Sequence, residues 1–400
     1  MLVTAAVTAC GGDESGGPAQ LQFWSYNEPS GAFDDAVEFC NQDSGGAYEI
    51  VYQKLGANAD LQRQQLVRRL AAEDASIDLL AMDVIWTSEF AEAKWIKPFP
   101  ADVRKEVSDG TLEGSLGTAM YEGELYGAPA NSNTQLLWYR KDKVDKAPET
   151  WAQLIEMADQ MGTKVEVQAA AYEGYTVWIN SLIQSAGGKI LESPTEASLE
   201  EEPLRKALEI ISSLANSSVA DPSIANSRED SGRLAFEQGV ADFQINYPFI
   251  CPSAAAIDGF QDKIGWAPYP RVDADTPAKA PIGGCNVGVG NFTENPDEAF
   301  DAVACLRNER NQRVAAVKGG LPPTLSALYD NPDFQKDYPF AKLIRDSIDN
   351  GAVRPPTPLY ADLSLAIATA LSPPDGFEVD AAVSELKQTA QDALDGKGLN

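Results

Sequence analysis

Apolar segments with the pattern of buried strands alternate with amphipathic helical segments along most of the chain, and no long linker divides them. Residues 77–82 form a mostly apolar run, which suits a parallel strand buried on both faces between helices. Residues 204–215 instead place their apolar side chains on one helical face. The alternation predicts an α/β fold. Because 400 residues are too many for one ordinary core, we expect two domains between which the chain crosses more than once.

Further strands and helices follow from the same patterns. Thr150 and Gln153 have the spacing of a capping box, which predicts the start of a helix there. The other predicted strands are 21–24, 136–139, 243–247 and the glycine-rich 280–290, the last of which is either a strand or a crossover. The other predicted helices are 32–39, 60–72, 300–306 and 379–394.

The charge of the chain excludes several classes of function. It has 31 Lys and Arg residues against 60 Asp and Glu residues, so its formal net charge is -29. A surface this acidic repels phosphate backbones and anionic lipid headgroups, so nucleic acid is excluded as a partner.

The chain has no histidine, which excludes Ser-His-Asp hydrolysis and His-ligated zinc. There is no CxxC pair either, and we expect neither a metal nor a cofactor.

The N-terminal residues have the pattern of a lipidation signal. Residues 7–10 (VTAC) resemble a bacterial lipobox, in which Cys10 receives lipid and becomes the mature N-terminus. The polar, glycine-rich residues 11–20 are too poor in apolar side chains to fold. We therefore expect residues 1–19 to be lipobox and flexible tether, with a lipid on Cys10 holding the protein at the extracytoplasmic face of the cell membrane. The alternative is an apolar tail with a chance cysteine.

Four cysteines remain after Cys10: Cys40, Cys251, Cys285 and Cys305. An even number in an exported chain predicts one or two disulfides. The sequence alone allows three pairings.

Eight segments occur in an order that is typical of one protein family. They are LQFWSYNEPSG, LAMDVIW, LYGAPANSNTQLLWYRKD, PETWAQL, YEGYTVWINSL, FQINYPF, GGCNVGVG and RPPTPLY. In this order the chain resembles the sugar-binding lipoproteins of ABC importers, and more narrowly the trehalose/maltose-binding cluster of extracellular solute-binding proteins. The actinobacterial trehalose-binding lipoproteins are its closest likeness within that cluster. The likeness extends from about residue 21 to the C-terminus.

The resemblance implies a two-lobed fold of the maltose-binding-protein type, with the ligand in the cleft between the lobes. By this pattern lobe one comprises 20–129 and 285–320, and lobe two comprises 130–284 and 321–400. A monomer would present its closed form to permease subunits in the membrane, which an ATPase drives.

The resemblance also favours one disulfide. Cys40 and Cys305 would both lie on helices of lobe one, so a bond between them is preferred. Cys251 and Cys285 would then be a possible second pair near the cleft.

A neutral disaccharide presents hydroxyl groups around apolar C–H faces, so its site needs carboxylates, amides and aromatic rings. Open α/β folds bind ligands at the carboxyl ends of their strands. From these positions and the resemblance, the expected ligand-binding residues are Asn27, Glu28, Asp83, Asn131, Asn133, Glu173, Tyr247, Phe249, Gly283, Gly284 and Arg354.

Asp83 ends an apolar strand, where a carboxylate costs free energy unless it is paired. Its expected role is sugar binding, and the alternative is an N-cap for the next helix. The planar guanidinium of Arg354 suits both vicinal hydroxyls and Asp83. Asn131 and Asn133 stand where relatives have an aromatic residue and an acid, so either of them is the expected contact. Cys285 stands where relatives commonly have Trp, which removes one aromatic platform.

Four other candidates have structural alternatives. Asn27 and Glu28 are either sugar ligands or turn residues, and Glu173 is either a ligand or a solvated surface acid. Tyr247 is expected to stack on a sugar face. Phe249 is its weaker companion and more typical of a core. The two glycines would let backbone N–H groups approach the ligand closely.

The predicted function is therefore the capture of trehalose for uptake by an ABC importer, with maltose or another disaccharide or oligosaccharide as the alternative. A secreted glycoside hydrolase would need two carboxylates on either side of the scissile bond. Two of the three acids Glu28, Asp83 and Glu173 would have to form that pair. The lipid anchor and the order of the family segments favour binding without catalysis, and they also disfavour an adhesion or structural lipoprotein. We expect no enzymatic activity.

Overall fold

A computed structural model of the protein describes residues 17–56 and 58–397. Strands and helices alternate as predicted, and the strands form two main sheets and two short hairpins. The strands are β1 (Ala19–Tyr26), β2 (Tyr48–Leu55), β3 (Leu79–Asp83), β4 (Met120–Tyr121), β5 (Glu124–Leu125), β6 (Ala128–Asn133), β7 (Leu136–Arg140), β8 (Lys164–Glu166), β9 (Leu191–Ser193), β10 (Glu196–Ala197), β11 (Ala241–Asn246), β12 (Ile264–Ala267) and β13 (Gly283–Val289).

The helices lie between these strands and after them. The α-helices are α1 (Ala32–Asp43), α2 (Ala59–Leu70), α3 (Thr87–Glu92), α4 (Ala101–Ser108), α5 (Glu113–Thr118), α6 (Trp151–Met161), α7 (Glu173–Ser185), α8 (Glu201–Ala215), α9 (Glu229–Glu237), α10 (Ile250–Ala255), α11 (Pro296–Leu306), α12 (Glu309–Gly319), α13 (Ser326–Asp330), α14 (Pro332–Asp337), α15 (Ala341–Asp349), α16 (Tyr360–Ala370) and α17 (Val379–Leu394). Short 3-10 helices occur at Val84–Trp86, Ile224–Asn226 and Gln261–Lys263.

Lobe one is built on a five-stranded sheet with the order β2-β1-β3-β13-β6. β1 pairs in parallel with β2 and β3, while β13 runs antiparallel to both β3 and β6. Successive side chains of β3 point to opposite faces. Leu79 and Ala81 therefore pack under α1 and α11, whereas Leu80 and Met82 pack under α2 and α3. The predicted strand that is buried on both faces is confirmed.

Lobe two is built on a four-stranded sheet with the order β12-β7-β11-β8. Helices α6, α7, α8, α16 and α17 pack on one face of this sheet, and α10, α13, α14 and α15 pack on the other. All six residues of β11 are buried, including Asp242, Gln244 and Asn246. The sheet of lobe two therefore has a polar central strand.

The chain passes between the two sheets where three segments lie side by side. β6 and β13 remain paired as far as Asn133 and Gly283, and the backbone N–H of Ser132 donates to the carbonyl of Pro322 at 2.8 Å. β6 therefore extends lobe one's sheet past residue 129. The division of the whole chain into lobes at the expected boundaries stays a prediction.

The preferred disulfide is confirmed, because Cys40 of α1 and Cys305 of α11 are bonded. The possible second pair is wrong: Cys251 lies on α10 of lobe two and Cys285 on β13 of lobe one, and neither has a disulfide partner within the described ranges. The lipidation site Cys10 lies outside the described residues.

Three local predictions need adjustment. The tether ends sooner than expected, because β1 begins at Ala19, which pairs with Tyr48. β11 ends at Asn246, so Tyr247 follows the strand instead of belonging to it. At α6, Thr150 accepts a hydrogen bond from the N–H of Gln153 as predicted, but the Gln153 side chain accepts from the N–H of Glu149.

Two features are absent from the part of the chain that the structure describes. None of its helices is long and apolar enough to cross a membrane. The same residues contain no group of three or more acidic, Cys or His side chains arranged to hold a metal ion.

Candidate functional site

Three candidate positions form a row across lobe one's sheet. Asp83 is the last residue of β3, and it is the register partner of Cys285 on β13. Cys285 is in turn the partner of Asn131 on β6. Register partners on adjacent strands point to the same face of a sheet, so these side chains lie next to each other. The row places a carboxylate and an amide at the edge of the sheet from which the chain crosses to lobe two.

Arg354 joins this row to lobe two. Its Nη2 donates to Oδ1 of Asp83 at 2.7 Å, and its Nη1 donates to Oε1 of Glu173 at 2.6 Å. Glu173 is the first residue of α7, and the hydroxyl of Tyr360 donates to the same Oε1 at 2.9 Å. The Arg354 side chain is only 4% exposed. One buried guanidinium therefore links an acid of lobe one to an acid of lobe two.

The two acids also determine the protonation of the cluster. Burial alone would lower the pKa of Arg354, but Asp83 and Glu173 together raise that pKa well above its ordinary value. Burial raises the pKa of Asp83, and the charge of Arg354 opposes this shift. Arg354 is therefore a permanent cation between two acids.

The cluster keeps capacity for a ligand. Within the described chain, Oδ2 of Asp83 and Oε2 of Glu173 accept no hydrogen bond, and the buried Nε of Arg354 has no acceptor. Asn131 is 5% exposed; its Nδ2 donates to the Ser132 carbonyl at 3.0 Å while its Oδ1 has no partner there. These atoms match the donors and acceptors of a polyhydroxylated ligand.

Two glycines allow this arrangement. Gly283 faces Arg354, and a Cβ placed there would lie 3.6 Å from Nη2 of Arg354 and 3.6 Å from Cβ of Asn133. Gly284 has a φ of 128°, and a Cβ there would lie 2.3 Å from the Asn131 carbonyl oxygen. No other residue fits position 284 without moving β6, so these glycines bring β13 close to the cluster. Contact of their N–H groups with a ligand stays a prediction.

Tyr247 and Phe249 follow the end of β11 but have different surroundings. Burial raises the pKa of Tyr247, and the charges of Glu229 and Glu173 add to the shift. Phe249 is half-buried and packs against the core between β7 and α15. Tyr247 is therefore the better candidate of the two for a ligand contact.

Asn27 and Glu28 lie apart from Arg354 in the hydrogen-bond network. The carboxylate of Glu28 is buried, and it accepts hydrogen bonds from the N–H and hydroxyl of Ser30 and from the N–H of Ala32. It therefore stabilises the start of α1, while Asn27 is exposed. Their contact with a sugar stays a prediction, as does that of Asn133, whose Oδ1 accepts from the N–H of Thr134.

Cavities lie on both sides of the Arg354 ion pairs. A cavity of about 260 Å³ is lined from lobe one by Asp60 and Trp86 and from lobe two by Glu173 and Tyr360. A second cavity of about 630 Å³ is lined by residues that include Arg354 itself. A third, of about 720 Å³, lies on lobe two and contains none of the predicted site residues. The first two cavities are the spaces that a ligand at the cluster would enter.

Sequence reasoning missed Tyr360, Asp60 and Trp86. All three lie on helices, whereas most of the predicted ligand-binding residues lie near strand ends. The signal for Tyr360 was its place in the RPPTPLY segment, six residues after Arg354. For Asp60 and Trp86, helical periodicity gave no indication that they face the other lobe.

Curated proteins of similar sequence are binding proteins. The chain is 27% identical over 338 residues to a probable ABC transporter-binding protein of Deinococcus radiodurans, which covers 78% of this chain and 77% of that protein. It is 22% identical over 352 residues to the maltotriose-binding protein of Pyrococcus abyssi, which covers 85% and 74% respectively. An arabinooligosaccharide-binding protein of Halalkalibacterium halodurans is 21% identical over 354 residues, with 84% and 78% covered.

Solved structures have the same fold. Maltose-bound MalE3 of T. maritima superposes with a TM-score of 0.80 at 24% identity, which covers 94% of this chain and 97% of that one. The GacH receptor of Streptomyces glaucescens superposes with a TM-score of 0.81 at 20% identity, which covers 94% and 99%. The two-lobed α/β fold of the maltose-binding-protein type is thus confirmed.

The sequence profile of one family, described as bacterial extracellular solute-binding protein, matches residues 33–313. This match covers more than half of the chain, and the relatives above are binding proteins and not enzymes. The prediction of binding without catalysis is therefore confirmed. The chain belongs to the bacterial extracellular solute-binding proteins.

Proposed function

We propose that this protein captures a neutral disaccharide for an ABC importer and that trehalose is its preferred ligand. The observation that supports this most directly is the position of Arg354 between Asp83 of lobe one and Glu173 of lobe two. A ligand that bonds to this cluster contacts both lobes, which favours the closed state by its differential affinity.

The chemistry of the cluster suits hydroxyl groups. The free oxygens of Asp83 and Glu173 accept from hydroxyl protons, and Arg354 donates to hydroxyl oxygens. Tyr247 offers an apolar ring face near the same charges. Trehalose has two equivalent glucose units and no reducing end, so acids from two lobes can hold one unit each.

Maltose is the second candidate. Relatives of the chain include proteins named for binding maltotriose, arabinooligosaccharide and lactose, and one structure of the same fold holds maltose. These names favour a sugar ligand of two or more units. They do not favour trehalose over maltose, so the preference rests on the sequence resemblance.

The proposal extends to the place of action. A lipid on Cys10 would hold the protein at the outer face of the membrane, where a monomer could deliver its ligand to the permease subunits. Labelling of cells with a radioactive fatty acid, followed by purification of the native chain and of Cys10→Ala, tests this anchor. Label on the native chain alone is the expected result, and equal label on both would contradict it.

Titration calorimetry of the native chain with trehalose and maltose tests the ligand. We expect saturable binding of both sugars, with the lower Kd for trehalose. A tenfold preference for maltose, which corresponds to about 1.4 kcal/mol, would overturn the trehalose assignment but not the transport role. Absence of binding to any sugar of a disaccharide panel would overturn the sugar assignment. Release of glucose during the titration would point to a hydrolase instead.

A further inference from the structure

A buried carboxylate lies one layer behind the binding cluster in lobe two. Glu166, the last residue of β8, is 4% exposed, and its Oε2 accepts a hydrogen bond from the Ser227 hydroxyl at 2.9 Å. Its Oε1 is buried and has no partner among the residues that the structure describes. An ionised carboxylate in such a place pays a large desolvation cost unless a cation or further donors compensate it.

The neighbours of Glu166 supply no such compensation. Its register partner on β11 is Gln244, whose buried Nε2 is likewise without a partner in the described chain. Gly232 of α9 closes the other side, since a Cβ placed on it would lie 3.3 Å from the Cβ of Glu166. Glu166 is therefore enclosed by β11 and α9, and there is little room for water.

The charged groups on the surrounding elements do not neutralise Glu166. They are Lys164, Asp221, Arg228, Glu229, Asp230, Arg233 and Asp242. Asp221 repels it, and Asp242 is already paired with Lys143 at 2.7 Å. Burial, opposed by the Ser227 hydrogen bond and helped by Asp221, raises the pKa of Glu166 to about 7. Around neutral pH the group therefore exchanges a proton.

A chain of hydrogen bonds connects Glu166 to the cluster. The carbonyl of Ser227 accepts from the N–H groups of Ala169 and Ala170, both at 3.1 Å, and the Ala170 carbonyl accepts from the N–H of Tyr172 at 2.8 Å. Tyr172 precedes the first turn of α7, which begins at Glu173. A displacement of Ser227 would therefore shift residues 169–172, and with them Glu173 at the start of α7.

We propose that Glu166 is a positioning residue for the sugar-binding cluster and that its protonation state sets how firmly Ser227 and residues 169–172 hold Glu173. This inference rests on the proposed function, in which Glu173 contacts the ligand. Protonated Glu166 fits the dry space between β11 and α9. Ionised Glu166 accepts more strongly from the Ser227 hydroxyl, which holds residues 169–172 and Glu173 more firmly, so ligand affinity rises as pH rises through neutrality.

The same group affects stability, with a sign that can be worked out. The folded-state pKa is raised above the ordinary value of 4.5. Its contribution to stability is therefore fully present below about pH 4.5, is lost as pH rises toward about pH 7, and stays lost above that. Glu166→Gln copies the protonated form and should raise the melting temperature relative to the native chain much more at about pH 8 than at about pH 4.

Calorimetry with trehalose, or with maltose if maltose binds more tightly, tests the coupling. For the native chain we expect Kd to fall by up to about tenfold between about pH 6 and about pH 8, because a one-unit difference in pKa between free and bound protein is a tenfold change in affinity. Glu166→Gln should show a flat profile. Asp242→Asn is the matched control, because it removes a buried acid of the same sheet, and its pH profile should follow the native one. Equal profiles for the native chain and Glu166→Gln would overturn the inference.

A measurement without ligand separates this inference from the proposed function. Protection factors of the Ala169 and Ala170 amides against hydrogen exchange should increase above about pH 7 in the native chain but not in Glu166→Gln. If no sugar binds at any pH and this difference still appears, the proposed function fails while the role of Glu166 in holding residues 169–172 stands. Protection factors that do not differ between the two proteins would overturn the role of Glu166 whether or not sugar binds.

Discussion

The sheets of the two lobes are buried to a similar degree but by different chemistry. In lobe one, residues 79–82 of β3 are all apolar, and the Cys40–Cys305 bond ties α1 to α11 above them. In lobe two, the equally buried β11 alternates apolar residues with Asp242, Gln244 and Asn246. The central strand of lobe one thus depends on apolar packing beneath a covalent bond, whereas that of lobe two combines apolar packing with buried polar groups.

The difference indicates which lobe can respond to a change of pH. Apolar contacts and disulfides are insensitive to pH, whereas a buried polar group is stable only in the protonation state that its neighbours satisfy. Buried polar atoms without a partner occur in both lobes of the described chain, for example Asn286 Oδ1 in lobe one and Gln244 Nε2 in lobe two, but the only carboxylate oxygen among them is Oε1 of Glu166 in lobe two. Lobe two is therefore the adjustable half.

The largest expected effect comes from removing the disulfide of lobe one. The double variant Cys40→Ala and Cys305→Ala opens a bond that joins residues 265 apart in sequence, so it should lower the free energy of unfolding by about 5 kcal/mol. Guanidinium denaturation measures the loss. Cys251→Ala, which removes an unpaired thiol of lobe two, is the control. A double variant as stable as the native chain would show that apolar packing alone stabilises lobe one.

The next effect concerns the contact that joins the lobes. Arg354→Met leaves Asp83 and Glu173 buried without their cation, and breaking a buried pair in this way typically costs about 3–5 kcal/mol. We expect sugar binding to be lost near neutral pH and partly restored in acid, where Asp83, whose pKa is raised by burial, takes up a proton. Calorimetry at both pH values is the measurement.

Arg354→Lys is the matched control for that variant. It keeps the charge but not the planar fork that reaches Asp83 and Glu173 together, so its affinity should be intermediate. Native affinity in Arg354→Met would show that the ion pairs do not contribute to binding.

A smaller effect compares the acid of each lobe. Asp83→Asn should weaken sugar binding by about 1.5–3 kcal/mol, because it removes a charge-assisted bond. Glu173→Gln should cost less, since its amide oxygen can still accept from the Tyr360 hydroxyl. Asp102→Asn, an exposed acid on α4, serves as the control. An unchanged Kd in a folded Asp83→Asn variant would restrict Asp83 to its other contact, the N–H of Ile85.

The smallest effect concerns movement between the lobes. If the chain bends near 129–133, 282–286 and 319–322, saturating sugar should decrease the radius of gyration by a small amount in X-ray scattering. Arg354→Met, which lacks the link between the lobes, should show no such decrease. An unchanged radius for the native chain would mean a cleft that is closed without ligand or a ligand held by one lobe.

Sequence patterns predicted the elements better than their contacts. The last helix has the predicted bounds, and β3 lies within one or two residues of its prediction. Apolar periodicity succeeds there because it reports burial directly. Glu28 shows the limit: its sugar contact stays a prediction, and apolar periodicity did not indicate that its carboxylate accepts from three donors at the α1 terminus.

The contacts of the site were only partly predictable for the same reason. The pairing of Arg354 with Asp83 was anticipated from the family resemblance and from the planar guanidinium of Arg354, and the structure has this contact at 2.7 Å. The contacts that Glu173 makes with Arg354 and Tyr360 depend on how α7 packs near α16. The apolar periodicity of either helix alone does not predict this packing. The burial of the polar residues of β11 was likewise not predicted, because the apolar alternation indicates a strand but not what covers its other face.

The strand order of lobe one has a consequence for the order in which the protein is assembled. β13 lies between β3 and β6, yet it is made after both of them and after every strand of lobe two. Until residue 289 has been added, β3 and β6 each present an open edge, and such edges pair readily with other chains. Lobe two's sheet is complete at Ala267. The half of the molecule that contains the N-terminal strand is thus the last to close its sheet, and a chain that is exported before that point crosses the membrane without a folded lobe one.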